Sequence, residues 1–406
     1  MTPAARVAAA AEILDRILDG SPAEQALLGW SRSSRFAGSG DRAAVRDLVF
    51  QALRQRRSLG ALSGGGDGAS GRQLMLGLLV DGGSDPASVF TGERHAPAPL
   101  TVAEQAALKG AAPLETWPDA VRLDVPDWLH EVLRHDLGAE AGPVLLRLRD
   151  RAPVFLRVNR RVTDRAAAMA ALSAEGIEAR PHALAPTALE VTANAGRLRA
   201  SIIYAEGRVE VQDAASQAIC ELLPLYPAAN VLDYCAGGGG KTLALAAREP
   251  AARFTAHDAI ARRMADLPAR AARAGVRVGI VATSELPRRA PFDLVVADVP
   301  CSGSGTWSRD PEAKWRLTPA ALEQLARVQE QILRDCAPLV RPGGMLAYFT
   351  CSLLARENEA QVTAFLSAHP GWHCETSRRL LPTEGGDGFF AAILTRSSGA
   401  PTTSEG

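Results

Sequence analysis

Two cysteines in the last third of the chain stand directly behind apolar runs, where a thiol can reach a cleft and act as a nucleophile or metal ligand. The first follows Phe292-Asp-Leu-Val-Val-Ala-Asp298, in Val299-Pro-Cys301-Ser-Gly-Ser-Gly305. The second follows Met345-Leu-Ala-Tyr-Phe-Thr350, in Cys351-Ser352, with Glu357-Asn-Glu359 shortly after. Each run reads as a buried strand, so Asp298 with Cys301, and then Cys351, emerge where strands stop. A third such run ends in Asp233-Tyr-Cys-Ala-Gly-Gly-Gly-Gly-Lys-Thr242, ahead of an Ala/Leu helix. A glycine turn leading into a helix lets a ligand approach backbone N–H groups and the positive helix end. A phosphate-binding loop, G-x-x-x-x-G-K-T, would need glycine where Cys235 stands, so nucleotidase, structural turn and cofactor site all remain open on this motif alone. Asp258 closes the next apolar run at the separation where a dinucleotide fold places its ribose-binding acid, a position that also suits a helix cap. For Asp298 the competing role is a metal ligand, and for Cys301 and Cys351 buried packing.

These residues need a scaffold that collects strand ends. Strand patterns at 230–235, 253–258, 276–281, 292–298 and 344–350 alternate with helical stretches, which predicts a doubly wound, mostly parallel α/β sheet of Rossmann-like type with its ligands at the carboxyl ends. Upstream, residues 4–59 carry apolar positions at helical spacing, such as Val7, Ile13, Leu14 and Ile17, then Val45, Val49 and Leu53. A Gly/Ser-rich stretch at 60–71 interrupts the pattern, which resumes at 74–79 and 128–137. The expected domains are a helical one over 1–138, a small α/β module over 139–208, the sheet domain over 209–395 and a disordered Ser/Thr-rich tail over 396–406.

At 406 residues the chain exceeds one ordinary core, and 47% hydrophobic with 22% charged residues marks it as globular. A formal net charge of zero gives no general attraction to nucleic acid, so RNA affinity requires local clustering of positive charge. Lysine occurs only at 109, 241 and 314 in an arginine-biased chain, which hints that Lys241 and Lys314 fill roles arginine cannot. Six separated cysteines with no C-x-x-C pair suggest a reducing compartment and no metal. No long apolar stretch predicts a membrane span, and the first residues, with Glu12 and Asp15, lack the apolar core of a leader. The expectation is a cytoplasmic monomer.

Together the motifs resemble the Nop/Sun family of RNA cytosine-5 methyltransferases, whose patterns read D-x-C-A-A-P-G-G-K-T, D-A-P-C-S-G-x-G and T-C-S followed by E-N. Val211-Gln-Asp213 through Ser216, Arg309 through Trp315 and Asp387-Gly-Phe-Phe390 match as well, so the resemblance spans about residues 150 to 395. Gly40-Asp-Arg42 through Leu53-Arg54 is similar to the NusB-like domain of the bacterial RsmB-like branch, which modifies small-subunit (16S) ribosomal RNA. Leu156-Arg-Val-Asn159 is similar to the RNA-recognition-like module of that branch.

The resemblance implies S-adenosylmethionine as cofactor, with Cys235, Ala236, Gly237, Gly238, Gly239, Gly240 and Lys241 lining its methionine end and Asp298 nearby. Asp258 would hold the ribose, and Thr283 would stand near the adenine, where the family commonly has aspartate. It implies 5-methylcytosine as product: Cys351 adds to carbon 6 as a thiolate, Asp298 acts as the acid at ring nitrogen 3, and Cys301 assists release. DNA cytosine methyltransferases use the cysteine of a Pro-Cys motif instead, so an exchange of roles between Cys301 and Cys351 stays open. RNA is the expected partner, held by Arg157, Arg160, Arg161 and Lys314, although surface solubility explains the arginines as well. A transfer RNA substrate and a non-catalytic ribosome assembly factor are the competing readings. Three residues depart from the family: Gly237-Gly238 replaces Ala-Pro, Thr283 replaces aspartate, and His257, to which no role attaches, precedes Asp258.

Overall fold

The computed structural model describes residues 1–399; the remainder of the expected disordered tail lies outside the described residues. Helical spacing near the N-terminus folds as helices. Pro3–Leu18 is capped by Thr2, whose hydroxyl accepts from the Ala5 N–H, and Pro3 occupies the first turn, where no N–H is needed. Its Val7, Ile13, Leu14 and Ile17 are buried with Val45, Val49 and Leu53 of Ser39–Arg54 and with Leu74 and Met75 of Gly71–Asp81. The Gly/Ser-rich interruption is shorter than expected, because Arg56–Leu62 is helical through Gly60.

Two compact units divide the chain, one joining Met1–Arg151 to Trp307–Arg316 and the other holding Ala152–Thr306 and the residues from Leu317 onward. The helical unit therefore runs past 138, through Asp127–Leu137 and Ala141–Leu148, and takes in a segment expected in the sheet domain.

Within the second unit, β1 (Val154–Val158), β2 (Glu178–Pro181), β3 (Ala188–Ala193) and β4 (Val209–Val211) form an antiparallel sheet in the order β2-β3-β1-β4. Helix Arg165–Ala174 separates β1 from β2 and Ile202–Ala205 separates β3 from β4, a ferredoxin-like β-α-β-β-α-β arrangement. The expected border at 208 would have cut off β4, whose Val209 is buried with Leu156 and Val158.

The second sheet runs β10-β11-β9-β8-β5-β6-β7, with β5 (Asn230–Asp233), β6 (Arg253–Ala256), β7 (Val278–Ile280), β8 (Phe292–Asp298), β9 (Val340–Thr350), β10 (Trp372–Leu380) and β11 (Phe389–Arg396). β5 to β9 pair in parallel and β10 and β11 add antiparallel strands beside β9. Both faces are covered, which explains the near-continuous apolar runs: Val231, Val296 and Phe349 face one core, Leu232, Val295 and Tyr348 the other. The chain leaves β5 toward β6 and β7 and returns at β8, so the switch point lies between β5 and β8, where such sheets bind ligands.

Candidate active site

Parallel pairing of β8 and β9 sets Asp298 opposite Phe349, so the segments that leave these strands run side by side. Val299 N–H donates to the Phe349 carbonyl at 3.0 Å, Gly305 N–H to the Cys351 carbonyl at 2.9 Å and Gly388 N–H to the Gly305 carbonyl at 2.8 Å. A Cβ on Gly305 would lie 2.1 Å from the Gly388 carbonyl oxygen, so only glycine permits this approach. The sulfurs of Cys301 and Cys351 come to 3.3 Å, and both thiols are free and partly exposed. The hydrogen bond with Cys351, then burial, hold the Cys301 thiol well above its usual value. Cys301 is thus held in its neutral form, and either sulfur can donate the hydrogen between them.

A buried carboxylate locks both cysteine segments. Glu357, fully buried, accepts from Ser302 N–H at 2.8 Å, from the Ser302 and Ser352 hydroxyls at 2.5 Å each, and from the Gln329 amide at 2.9 Å. Ser302 and Ser352 each neighbour a site cysteine, so one side chain fixes both thiols. Asn358 adds a bond from its amide to the Ser352 carbonyl at 2.9 Å.

Asp298 accepts from Lys241 at 2.6 Å, and the lysine ammonium lies 5.1 Å from the centre of the Phe389 ring. Burial would pull this lysine down, but Asp298 outweighs it and holds the ammonium above its ordinary value, with Cys351 among the groups that add to the effect. One positive charge therefore serves the ends of both β8 and β9.

At the end of β5, Asp233 accepts from Thr242 at 2.5 Å, and burial pushes its carboxyl up to about 7. The turn that follows is closed by Gly239 N–H donating to the Ala236 carbonyl at 2.8 Å. Gly239 has φ +80°, and a Cβ there would stand 2.2 Å from Leu267 Cδ1, so this turn also demands glycine. Where the family has proline, Gly238 leaves room for Arg270, whose guanidinium donates to the Gly238 carbonyl. Leu243 N–H is the first to bond back within helix Gly240–Arg248, to the Gly239 carbonyl, which leaves the N–H groups of Gly240 and Lys241 without a partner inside the helix, while the Thr242 N–H meets the Asp233 carboxyl. Burial pushes the half-buried Cys235 thiol up, making it a neutral wall of the turn. Asp258 accepts from Gly237 N–H at 3.0 Å and Ile260 N–H at 2.9 Å, with Arg263 at 3.3 Å. His257 links the Tyr234 carbonyl to the Thr283 hydroxyl. The Gly240 and Lys241 N–H groups after β5, a carboxylate at β6 and a hydroxyl beyond β7 lie along consecutive strand ends, a donor and acceptor set that fits a carboxylate, a ribose and a base. S-adenosylmethionine carries all three.

The expected RNA contacts divide. Lys314 is 2% exposed and donates to the Arg54 carbonyl at 3.2 Å inside the helical unit; burial lowers it to about 8. A side chain closed off in this way cannot reach a phosphate, and its role is structural. Arg157 is 4% exposed: it donates to the Gly240 carbonyl at 2.7 Å and to Gln212, so it braces the glycine turn instead of meeting RNA. Arg160 lies 3.6 Å from Glu221, and Arg161 is exposed. The residues that the sequence did not single out are the braces: Ser302, Ser304, Ser352, Gln329 and Arg263. Ser302, Ser304, Ser352, Glu357 and Gln212 stood within recognised motifs with no role attached, whereas Gln329 and Arg263 stood in none.

Fold and strand-end site define a Rossmann-type methyltransferase that depends on S-adenosylmethionine. More narrowly, the chain belongs to the 16S rRNA methyltransferase RsmB/F family, whose model matches residues 221–395, while its ferredoxin-like domain matches 125–196. It is 34% identical over 288 residues to ribosomal RNA small subunit methyltransferase B of Xylella fastidiosa, covering 67% of each chain. With the Vibrio cholerae protein of the same name it is 30% identical over 392 residues, covering 88% of this chain and 90% of that one. Among solved structures, PH0851 superposes with TM-score 0.74 at 22% identity, over 97% of this chain and 99% of the other. NSun6 from Pyrococcus horikoshii with SFG superposes with TM-score 0.60 at 19% identity, over 68% and 99%. No helix among the described residues is long and apolar enough to cross a membrane.

Proposed function

We propose that this enzyme forms 5-methylcytosine in small-subunit ribosomal RNA, with Cys351 as the nucleophile. The approach of Cys301 to Cys351 at 3.3 Å carries the assignment, because that contact and burial hold the Cys301 thiol well above its usual value, which suits Cys301 to handling protons and leaves the attack to its neighbour. Carbon 5 of cytosine is too weak a nucleophile alone. The Cys351 thiolate adds to carbon 6, the electrons of the carbon 5–carbon 6 double bond shift toward ring nitrogen 3, and a proton arrives there through Asp298, which draws it from the Lys241 ammonium bonded to it. The bound cofactor supplies the electrophilic methyl group. After carbon 5 has taken it, the carbon 5 proton must leave: its bonding pair restores the double bond while the sulfur–carbon 6 bond breaks. Cys301 gives its proton to the departing Cys351 sulfur and takes the carbon 5 proton in exchange, the ring nitrogen 3 proton returns through Asp298 to Lys241, and the proton left on Cys351 passes to solvent.

RNA substrate is supported by the family; a cleft of about 670 Å³ at the amino ends of β6 and β7, the opposite end of the sheet from Cys351, is lined by Arg161, Arg253 and Arg277 and by no acidic residue, and would hold RNA backbone remote from the reacting base. None of these three arginines forms an ion pair among the described residues, which leaves them available to phosphates. The chemical assignment is tested with two variants. Cys301→Ala should trap protein covalently on cytosine-containing RNA in a denaturing gel, and Cys351→Ala should abolish both the adduct and methyl transfer. Normal turnover by Cys351→Ala would contradict the assignment.

A further inference from the structure

His257 closes β6 with its side chain 1% exposed, and its two ring nitrogens face different chemistry. Nδ1 lies 2.7 Å from the Tyr234 carbonyl and Nε2 lies 2.8 Å from the Thr283 hydroxyl. A carbonyl only accepts, so Nδ1 carries the proton; in the neutral ring Nε2 is then a bare acceptor and the Thr283 hydroxyl must donate to it. A hydroxyl has one proton. With it committed to His257, Thr283 offers only lone pairs to whatever stands in front of it, and Thr283 is exposed.

We propose that His257 is a positioning residue that makes Thr283 an acceptor-only hydroxyl, which reads the exocyclic amino group of the cofactor's adenine. The proposal rests on the S-adenosylmethionine assignment. β5, β6 and β7 are consecutive parallel strands, so a ligand whose amino-acid end meets the β5 turn and whose ribose meets Asp258 has the β7 end left for its base. An aspartate at 283 would be acceptor-only by its charge. Here a neutral hydroxyl reaches the same polarity through a histidine on the neighbouring strand, and this explains together two residues that depart from the family, Thr283 and His257. An amino group donates to such an oxygen, whereas a ring carbonyl in its place would meet lone pairs with lone pairs.

The test is calorimetric titration with S-adenosylhomocysteine and with S-inosylhomocysteine, which carries a carbonyl in place of the amino group. The wild type should prefer the adenine compound by about tenfold or more, the value of one well-placed hydrogen bond. His257→Phe frees the Thr283 proton to turn outward, and Thr283→Val removes the acceptor, so each should cut the preference to about threefold or less. Thr283→Asp added to His257→Phe should restore it. A purely structural role for His257 would weaken both ligands alike and leave their ratio unchanged, and that outcome overturns the proposal, as does equal binding of both compounds by the wild type. Should His257→Phe not fold, Thr283→Val decides by itself, because an unchanged ratio there is equally fatal. Failure of the wild type to bind S-adenosylhomocysteine at all would instead overturn the cofactor assignment, and the proposal with it.

Discussion

Glu357 holds more of the site together than either cysteine. It accepts from four donors, three of them on the two serines adjacent to Cys301 and Cys351, and it has no exposed surface. Removing one partner of such a cluster strands the others in a dry interior. Glu357→Ala should therefore lower stability by about 3 kcal/mol or more in denaturant titration and abolish methyl transfer even though both cysteines remain. Retained activity would show that the cysteine segments do not need this brace. The placement of Asp298, Cys301 and Cys351 at strand ends was legible in the sequence, because an apolar run that stops at Asp298, Thr350 or Asp233 states where its neighbours emerge. Burial of long cationic side chains was not. Lys314 bonds to a carbonyl 260 positions away, and Arg157 to the carbonyl of residue 240, and nothing local to either residue distinguishes such a partner from a phosphate.

Among elements, β8 and β1 appeared at the expected bounds, since each is a short apolar run with both neighbours paired. β10 did not appear in the sequence reading: Trp372–Leu380 is mostly polar, lies at the sheet edge and shows little alternation. β4 is only Val209–Val211, too short for any periodicity. The position of β1 matters to the chemistry, because it delivers Arg157 to the start of the helix after the glycine turn. Arg157→Met should weaken S-adenosylhomocysteine binding about tenfold, the loss of a hydrogen bond from a charged donor, while leaving RNA affinity at fixed salt unchanged. Loss of RNA affinity with unchanged cofactor affinity would return Arg157 to the RNA interface.

At the scale of the whole molecule, zero net charge means that RNA must be held by particular clusters. Replacing Arg161, Arg253 and Arg277 together by alanine should reduce the slope of log affinity against log salt by about 2, the share of three phosphate contacts, without altering cofactor binding. An unchanged slope would remove that cleft from the interface. The helical unit carries its own signature in Lys314. Burial depresses it to about 8 from the ordinary 10.5, so between these values the unfolded chain binds more protons than the folded one, and stability rises with pH. That contribution is fully present above about 10.5 and is lost as pH falls through about 8. The stability difference between wild type and Lys314→Met should vary across this window and stay flat below it; a flat difference throughout would mean the lysine is not desolvated.

The most direct test of the central claim is transfer of labelled methyl from S-adenosylmethionine to small-subunit ribosomal RNA, free and in particles, with bisulfite mapping of the product. Label confined to a cytosine that resists bisulfite after wild-type treatment, and absent with Cys351→Ala, is the predicted result. Label on another base, or on a cytosine that still converts, would contradict the account.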